Sequence, residues 1–246
     1  MEQNKQKKIK NSDIKLKSKK LPEKMIFLPN QDKTWHEEWY DKRSLLNIPH
    51  PARISLCGKP NVGKSATIQN LILRADPMFQ DIFVIHGDYS NTKEYNWLGK
   101  DDDKVKMMGH IPEPKDFPGL VKTLVIIDDL ELKTLPKQQQ MCLDRLFGYV
   151  STHKNISVYI GIQDFFHLPT IVRRCCNVVI LWKGHDLSSL SRTANKCGLK
   201  PDELNALFDT YCSGYRDSIW LDLTNGTPAP IRVNGFDVVE KITPTK

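Results

Sequence analysis

Gly58-Lys59-Pro60-Asn61-Val62-Gly63-Lys64-Ser65 is an uninterrupted G-x-x-x-x-G-K-S, set behind the apolar run Ile54-Ser55-Leu56-Cys57 and ahead of a helical pattern. Its glycines let the backbone curl until several N–H groups point inward, which makes a cradle for phosphate. Lys64 is spaced to reach the outer phosphates of a triphosphate, and Ser65 Oγ to ligate Mg²⁺ at a helix N-terminus. The candidate cofactor-binding set is therefore Gly58, Lys59, Pro60, Asn61, Val62, Gly63, Lys64, Ser65 and Ala66. Such a motif carries meaning only between a strand and a helix. Here Ile68, Leu71, Ile72 and Ala75 follow at helical spacing, so both flanks fit.

A second stretch, Leu124-Val125-Ile126-Ile127-Asp128-Asp129, is an apolar strand whose tip suddenly carries two carboxylates. Paired acids against such a run are costly unless a cation or a water-filled cleft receives them. Asp128 is assigned to the Mg²⁺ of Mg-ATP, through its water shell, and Asp129 to the attacking water as general base.

Three further runs, Ile82–Ile85, Ile156–Ile162 and Val178–Trp182, are β-branched and almost continuously apolar, as parallel strands buried on both faces must be. Together with Arg53–Cys57 and the acidic strand they predict an α/β fold, a P-loop NTPase of the additional-strand (ASCE, RecA-like) type. Its mainly parallel five-stranded core sheet is sandwiched by helices. In that arrangement the strand ending at Gln163 lies between the P-loop strand and the acidic strand, so Gln163 is placed to sense the γ-phosphate or hold the attacking water.

Catalysis by such a site commonly draws on an arginine from outside the cradle. A helix from about Pro136 to Val150 turns Leu143, Leu146, Phe147 and Val150 inward and Arg145 outward, which offers Arg145 to a neighbouring subunit. Arg173 and Arg174, after Gln163, are rivals for that role.

The order GKPNVGKS, LVIIDDL, NISVYIGIQDFFHLPTIVRRCCNVVILWK resembles the FtsK/HerA superfamily, and most of all the viral genome-packaging ATPases of double-jelly-roll viruses, virophages and Polinton-like elements. The resemblance covers roughly residues 50–185. It implies an ATP-driven motor, a homo-oligomeric ring that translocates double-stranded DNA into a preformed capsid and docks on capsid vertex proteins. It also implies a place at viral assembly sites in the host cytoplasm or nucleus, or in the virion. One departure concerns the residues before the fourth strand: many relatives carry an arginine-histidine pair there, where this chain has Thr152-His153-Lys154-Asn155. The trans-acting cation is thus open among Arg145, Arg173 and Lys154.

GKPNVGKS also matches the phosphate loop of translation-type GTPases. Asn195-Lys196-Cys197-Gly198 lacks the aspartate that guanine selection needs, and Asp116-Phe117-Pro118-Gly119 precedes the acidic strand instead of ending one. A P-loop nucleotide kinase, with Arg173 and Arg174 as lid arginines, and a nucleotide-gated switch without translocation remain the alternatives.

Around this core the 246 residues divide into a basic tail (1–25), an N-terminal extension (26–50), the ATPase core (51–185) and a C-terminal part of two helices and short edge strands (186–246). Nine lysines against Glu2, Asp13 and Glu23 place +6 of the +7 net charge in the tail. Its composition predicts disorder and suits a DNA arm, an acidic partner, a nuclear import receptor or plain solubility. Trp35 and Trp39, four apart, read as a docked peripheral helix. No apolar run is long enough for a membrane span, and the N-terminus lacks the apolar segment of a secretory signal. The six cysteines form no C-x-x-C pair and read as buried thiols.

Overall fold

The computed structural model describes residue 46 and residues 48–98, 104–119, 121–184 and 187–240. The basic tail, the Trp35/Trp39 segment and Asp101-Asp102-Asp103 lie outside the described residues.

The chain runs β1 (Arg53–Cys57), α1 (Lys64–Leu73), β2 (Asp81–His86), β3 (Val105–Met108), β4 (Thr123–Asp128) and α2 (Lys137–Arg145). After α2 the helix widens into a π-turn, Leu146–Val150, and closes with Ser151–His153. Then come β5 (Ile156–Ile162), α3 (Thr170–Cys175), β6 (Val178–Trp182), α4 (Leu187–Lys196), α5 (Pro201–Tyr211), β7 (Ser218–Asp222), β8 (Ile231–Val233) and β9 (Asp237–Val238). Among the described residues nine strands form one sheet in the order β3-β2-β4-β5-β1-β6-β7-β8-β9. The first six strands pair in parallel and the last three join antiparallel.

Period-two alternation explains the layering. Ile54, Leu56, Val84, Leu124, Ile126, Val178 and Ile180 share one core with Ile68, Leu71 and Ile72 of α1. Their neighbours Val125, Ile127, Val158, Ile160, Val179 and Leu181 share the other with Leu143, Leu146, Phe147, Val172, Leu204, Leu207 and Phe208 of the remaining helices and the π-turn. Each of these interior strands thus feeds both faces, and every residue from Thr123 to Asp128 is buried. At about 1.5–3 kcal/mol for each large aliphatic side chain removed from water, these two layers dominate the fold's stability.

The expected five-stranded core is corrected to six parallel strands, because the long connection between β2 and β4 carries β3. Val105-Lys106-Met107-Met108 is only partly buried, and Lys106 gives it the composition of a protected sheet edge instead of an apolar interior strand. A second correction concerns the C-terminal strands. β7 is not an edge: all five of its residues are buried, and it pairs with β6 on one side and β8 on the other. Tyr211, spaced after Leu204, Leu207 and Phe208 like a residue of the apolar face of α5, is 45% exposed.

Candidate active site

β1 ends at Cys57 and the chain enters the cradle by donating Gly58 N–H to the Ile162 carbonyl at 3.0 Å, which fastens the loop to the tip of β5. A side chain at Gly58 would collide with Val62 and press on Trp182, so glycine is required there by space. Gly63 is required by conformation: its φ of 109° is in the left-handed region, and from it α1 starts at Lys64. Asn61 also takes a positive φ, 66°. Lys64 Nζ donates to the carbonyls of Gly58 at 2.9 Å and Lys59 at 3.1 Å, so its ammonium spans the mouth of the cradle.

β4 delivers the acids. Asp128 is 1% exposed and its Oδ2 accepts from Ser65 Oγ at 3.0 Å. Burial pushes its pKa above the usual carboxylate range, against which bonds from Tyr95 and Ser65 favour the ionised form. Asp129 lies one residue on, in a left-handed turn with φ 48°, and its side chain is 71% exposed. The turn throws the second carboxylate out of the sheet and into the cleft.

β5 lies between β1 and β4 in register, Ile162 opposite Cys57 and Ile160 opposite Ile127. Gln163 therefore emerges between the cradle and the acids. A cleft of about 280 Å³ is lined by Lys64, Asp129, Gly161, Gln163 and His167 together with Leu130–Lys133, and so gathers three of the expected residues.

Ser65 Oγ and the Asp128 carboxylate form an all-oxygen pair of the type that suits Mg²⁺. Gly161 leaves the space that the carboxylate fills: a Cβ there would lie 2.2 Å from Asp128 Oδ1. The residues present fit the ion.

The arginines fall apart in kind. Arg173 donates to the carbonyls of Leu168 at 2.5 Å and Phe166 at 3.2 Å and to Thr170 Oγ1 at 3.2 Å, and it stacks 4.7 Å from the Phe166 ring. It is a strut for the turn after Gln163. Arg192 of α4 takes the other contact with Phe166, at 4.3 Å. Arg145 and Arg174 are exposed. Lys154 donates to the Phe117 carbonyl at 2.8 Å.

Three residues that the sequence did not single out belong to the site. Gly161 interrupts a β-branched strand, the usual sign of a close approach. His86 closes β2: its Nδ1 accepts from Asp88 N–H at 3.0 Å, which leaves the ring proton on Nε2, 3.7 Å from Asp129 Oδ2. Tyr95 is buried and donates to Asp128 Oδ2 at 2.7 Å. An apolar run ending in histidine was a readable signal for His86, whereas nothing around Tyr95 marks it.

A cradle at the end of β1, acids at the end of β4 and the intervening β5 define the additional-strand P-loop NTPase fold. No family model matches the chain, and no curated protein matches it by sequence. Solved structures match its fold. B204, the DNA-packaging ATPase from Sulfolobus turreted icosahedral virus, superposes with a TM-score of 0.55 at 13% identity, over 74% of this chain and 97% of B204. The genome packaging NTPase B204 from Sulfolobus turreted icosahedral virus 2 does so with 0.54 at 14% identity in its complex with AMP, covering 73% and 95% of the two chains. In complex with AMPPCP the score is 0.52, again at 14%, over 76% and 98%.

Proposed function

We propose that this chain is an ATPase that drives double-stranded viral DNA into a preformed capsid, working as a homo-oligomeric ring seated at a capsid vertex. The observation that carries it is the strand order β4-β5-β1, which turns Asp129, Gln163 and Lys64 into one cleft. The fold of the neighbours, two viral packaging NTPases by name, supports the choice of polymer and setting.

ATP would lie with its phosphates against the N–H groups of residues 61–66, since Pro60 has no N–H and Gly58 gives its own to Ile162. Lys64 moves from the Gly58 and Lys59 carbonyls to the β- and γ-phosphates, exchanging two neutral acceptors for charged ones. Ser65 and Asp128 would hold Mg²⁺, which when bound would neutralise part of the phosphate charge. Asp129 accepts a proton from the water that attacks the γ-phosphate, with His86 Nε2 standing 3.7 Å from its carboxylate. Gln163 hydrogen-bonds that water or the γ-phosphate and passes the change on through the Phe165–His167 turn, which Arg173 and Arg192 grip. Arg145, exposed on α2, enters the neighbouring subunit's cleft.

The test is ATP turnover with and without linear duplex DNA, run beside native mass measurement. Turnover raised by DNA in an oligomer supports the motor. Turnover indifferent to DNA in a strict monomer favours a nucleotide kinase.

A further inference from the structure

The connection that follows β2 meets the catalytic cleft at three points. His86, at its root, accepts from the Asp88 amide and lies 3.7 Å from the Asp129 carboxylate. Gln69 of the P-loop helix donates its side-chain amide to the Glu94 carbonyl at 3.1 Å. Tyr95, 1% exposed, donates to Asp128 Oδ2 at 2.7 Å.

The third contact is chemically selective. Tyr95 packs its ring in the same core as Ile54, Val84 and Leu124, where a phenylalanine would pack equally well. A hydroxyl there is unfavourable unless bonded, and Asp128 is the partner it has. Asp128 Oδ2 is shared between Tyr95 and Ser65, so two donors hold the same carboxylate oxygen. Gly161 opens the space into which the other oxygen projects. One rotamer of Asp128 satisfies all three neighbours.

We propose that Tyr95 is a positioning residue for the metal-bearing carboxylate, and that metal at Asp128 in turn tightens the connection formed by residues 87–98. This rests on the reading of Asp128 as the Mg²⁺-holding acid. The reverse effect follows from linkage: if the Tyr95 bond favours the metal-bearing arrangement, the metal favours the Tyr95 bond by the same factor. Partners that orient a metal ligand commonly carry 10–100-fold in metal affinity, and a single neutral hydroxyl belongs at the lower end, about tenfold.

The experiment titrates Mg²⁺ by calorimetry into protein saturated with a non-hydrolysable ATP analogue. Tyr95→Phe binds Mg²⁺ about tenfold more weakly than the wild type, while its affinity for the analogue in EDTA is unchanged. Asp128→Asn loses more. Amide hydrogen exchange over residues 87–98 slows when Mg²⁺ joins the analogue in the wild type, and does not in Tyr95→Phe. Wild-type Mg²⁺ affinity and exchange response in Tyr95→Phe, beside an impaired Asp128→Asn, overturn the proposal and leave the reading of Asp128 intact. An Asp128→Asn protein as responsive to Mg²⁺ as the wild type overturns that reading, and the proposal with it. Should Tyr95→Phe fail to fold, the wild type alone decides: no metal-dependent protection at 87–98 overturns the coupling.

Discussion

Gly161 faces Asp128 across the boundary between β5 and β4, so closely that a methyl group on the glycine would stand 2.2 Å from Asp128 Oδ1 and 3.2 Å from its carboxyl carbon. The acid has no room to retreat within its own strand, since the residues before it are buried in two packed layers. Gly161→Ala therefore displaces the carboxylate from Ser65. Overpacking of this kind costs about 1–3 kcal/mol of stability. The site suffers more than the fold: turnover falls by at least about tenfold and the Mg²⁺ requirement rises, by analogy with other disturbed ligand supports. ATPase rates across a Mg²⁺ series, with a thermal melt alongside, measure both. A variant with wild-type Mg²⁺ dependence would show that the carboxylate finds another route to the metal.

Asp129 is separable from its neighbour. Its side chain is 71% exposed, so Asp129→Asn leaves the fold untouched and removes only the capacity to take a proton. Nucleotide binding stays within about twofold, and turnover drops by about 10²–10⁴, the span of a lost general base. Equilibrium binding of a fluorescent ATP analogue and steady-state rates separate the two effects. Undiminished turnover places the base elsewhere.

What the sequence disclosed and what it hid follow one physical divide. The strands β1, β5 and β6 were legible to the residue because burial on both faces demands unbroken β-branched runs, and the cradle because its φ angles and close contacts demand glycine. Edge strands face no such demand. β3 tolerates Lys106 and β9 is the exposed pair Asp237–Val238, so neither left a pattern to read. The site divides in the same way. Asp128 and Asp129 announce themselves as charges on an apolar strand, whereas Tyr95 reaches Asp128 from 33 positions upstream, a contact only the folded connection creates. Arg173 looked like a free cation in the sequence because the carbonyls that hold it, those of Phe166 and Leu168, have no side-chain signature.

The two arginines should therefore behave oppositely. Arg173→Ala breaks charge-assisted bonds to two carbonyls and lowers stability by about 1.5–3 kcal/mol, read from the denaturant midpoint. Arg145→Ala removes an exposed side chain and leaves that midpoint within about 0.5 kcal/mol. Its loss shows in turnover alone. If Arg145 acts across a subunit boundary, mixing inactive Arg145→Ala with inactive Lys64→Ala restores part of the rate, because some interfaces then pair an intact arginine with an intact cradle. No recovery in mixed assemblies, with oligomers verified by mass, removes Arg145 from the role.

Lys122 tests the electrostatics of the opposite end of the sheet. The residue is 6% exposed, its ammonium donates to the Pro77 carbonyl and lies 4.9 Å from the Phe79 ring, and burial lowers its pKa to about 8, with Asp76 pulling weakly the other way. Below pH 8 the folded and unfolded chains both hold this proton, and burying the charge is a cost. Between pH 8 and the ordinary lysine value the folded chain has released the proton while the unfolded chain keeps it, so this group's contribution to stability rises with pH across that window. Lys122→Met carries no such charge. Its stability relative to the wild type is thus greatest near pH 7 and shrinks by on the order of 1 kcal/mol by pH 10. At about 1.4 kcal/mol for each tenfold difference in proton affinity, the full displacement to about 8 corresponds to roughly 3 kcal/mol, of which part falls above pH 10 and part is lost to screening of the ammonium. Guanidinium unfolding of both proteins at pH 7, 8.5 and 10 gives the difference directly, and taking the difference cancels the buried cysteines, which titrate in the same range. A gap that stays constant from pH 7 to 10 would show that Lys122 keeps an ordinary pKa in the folded protein.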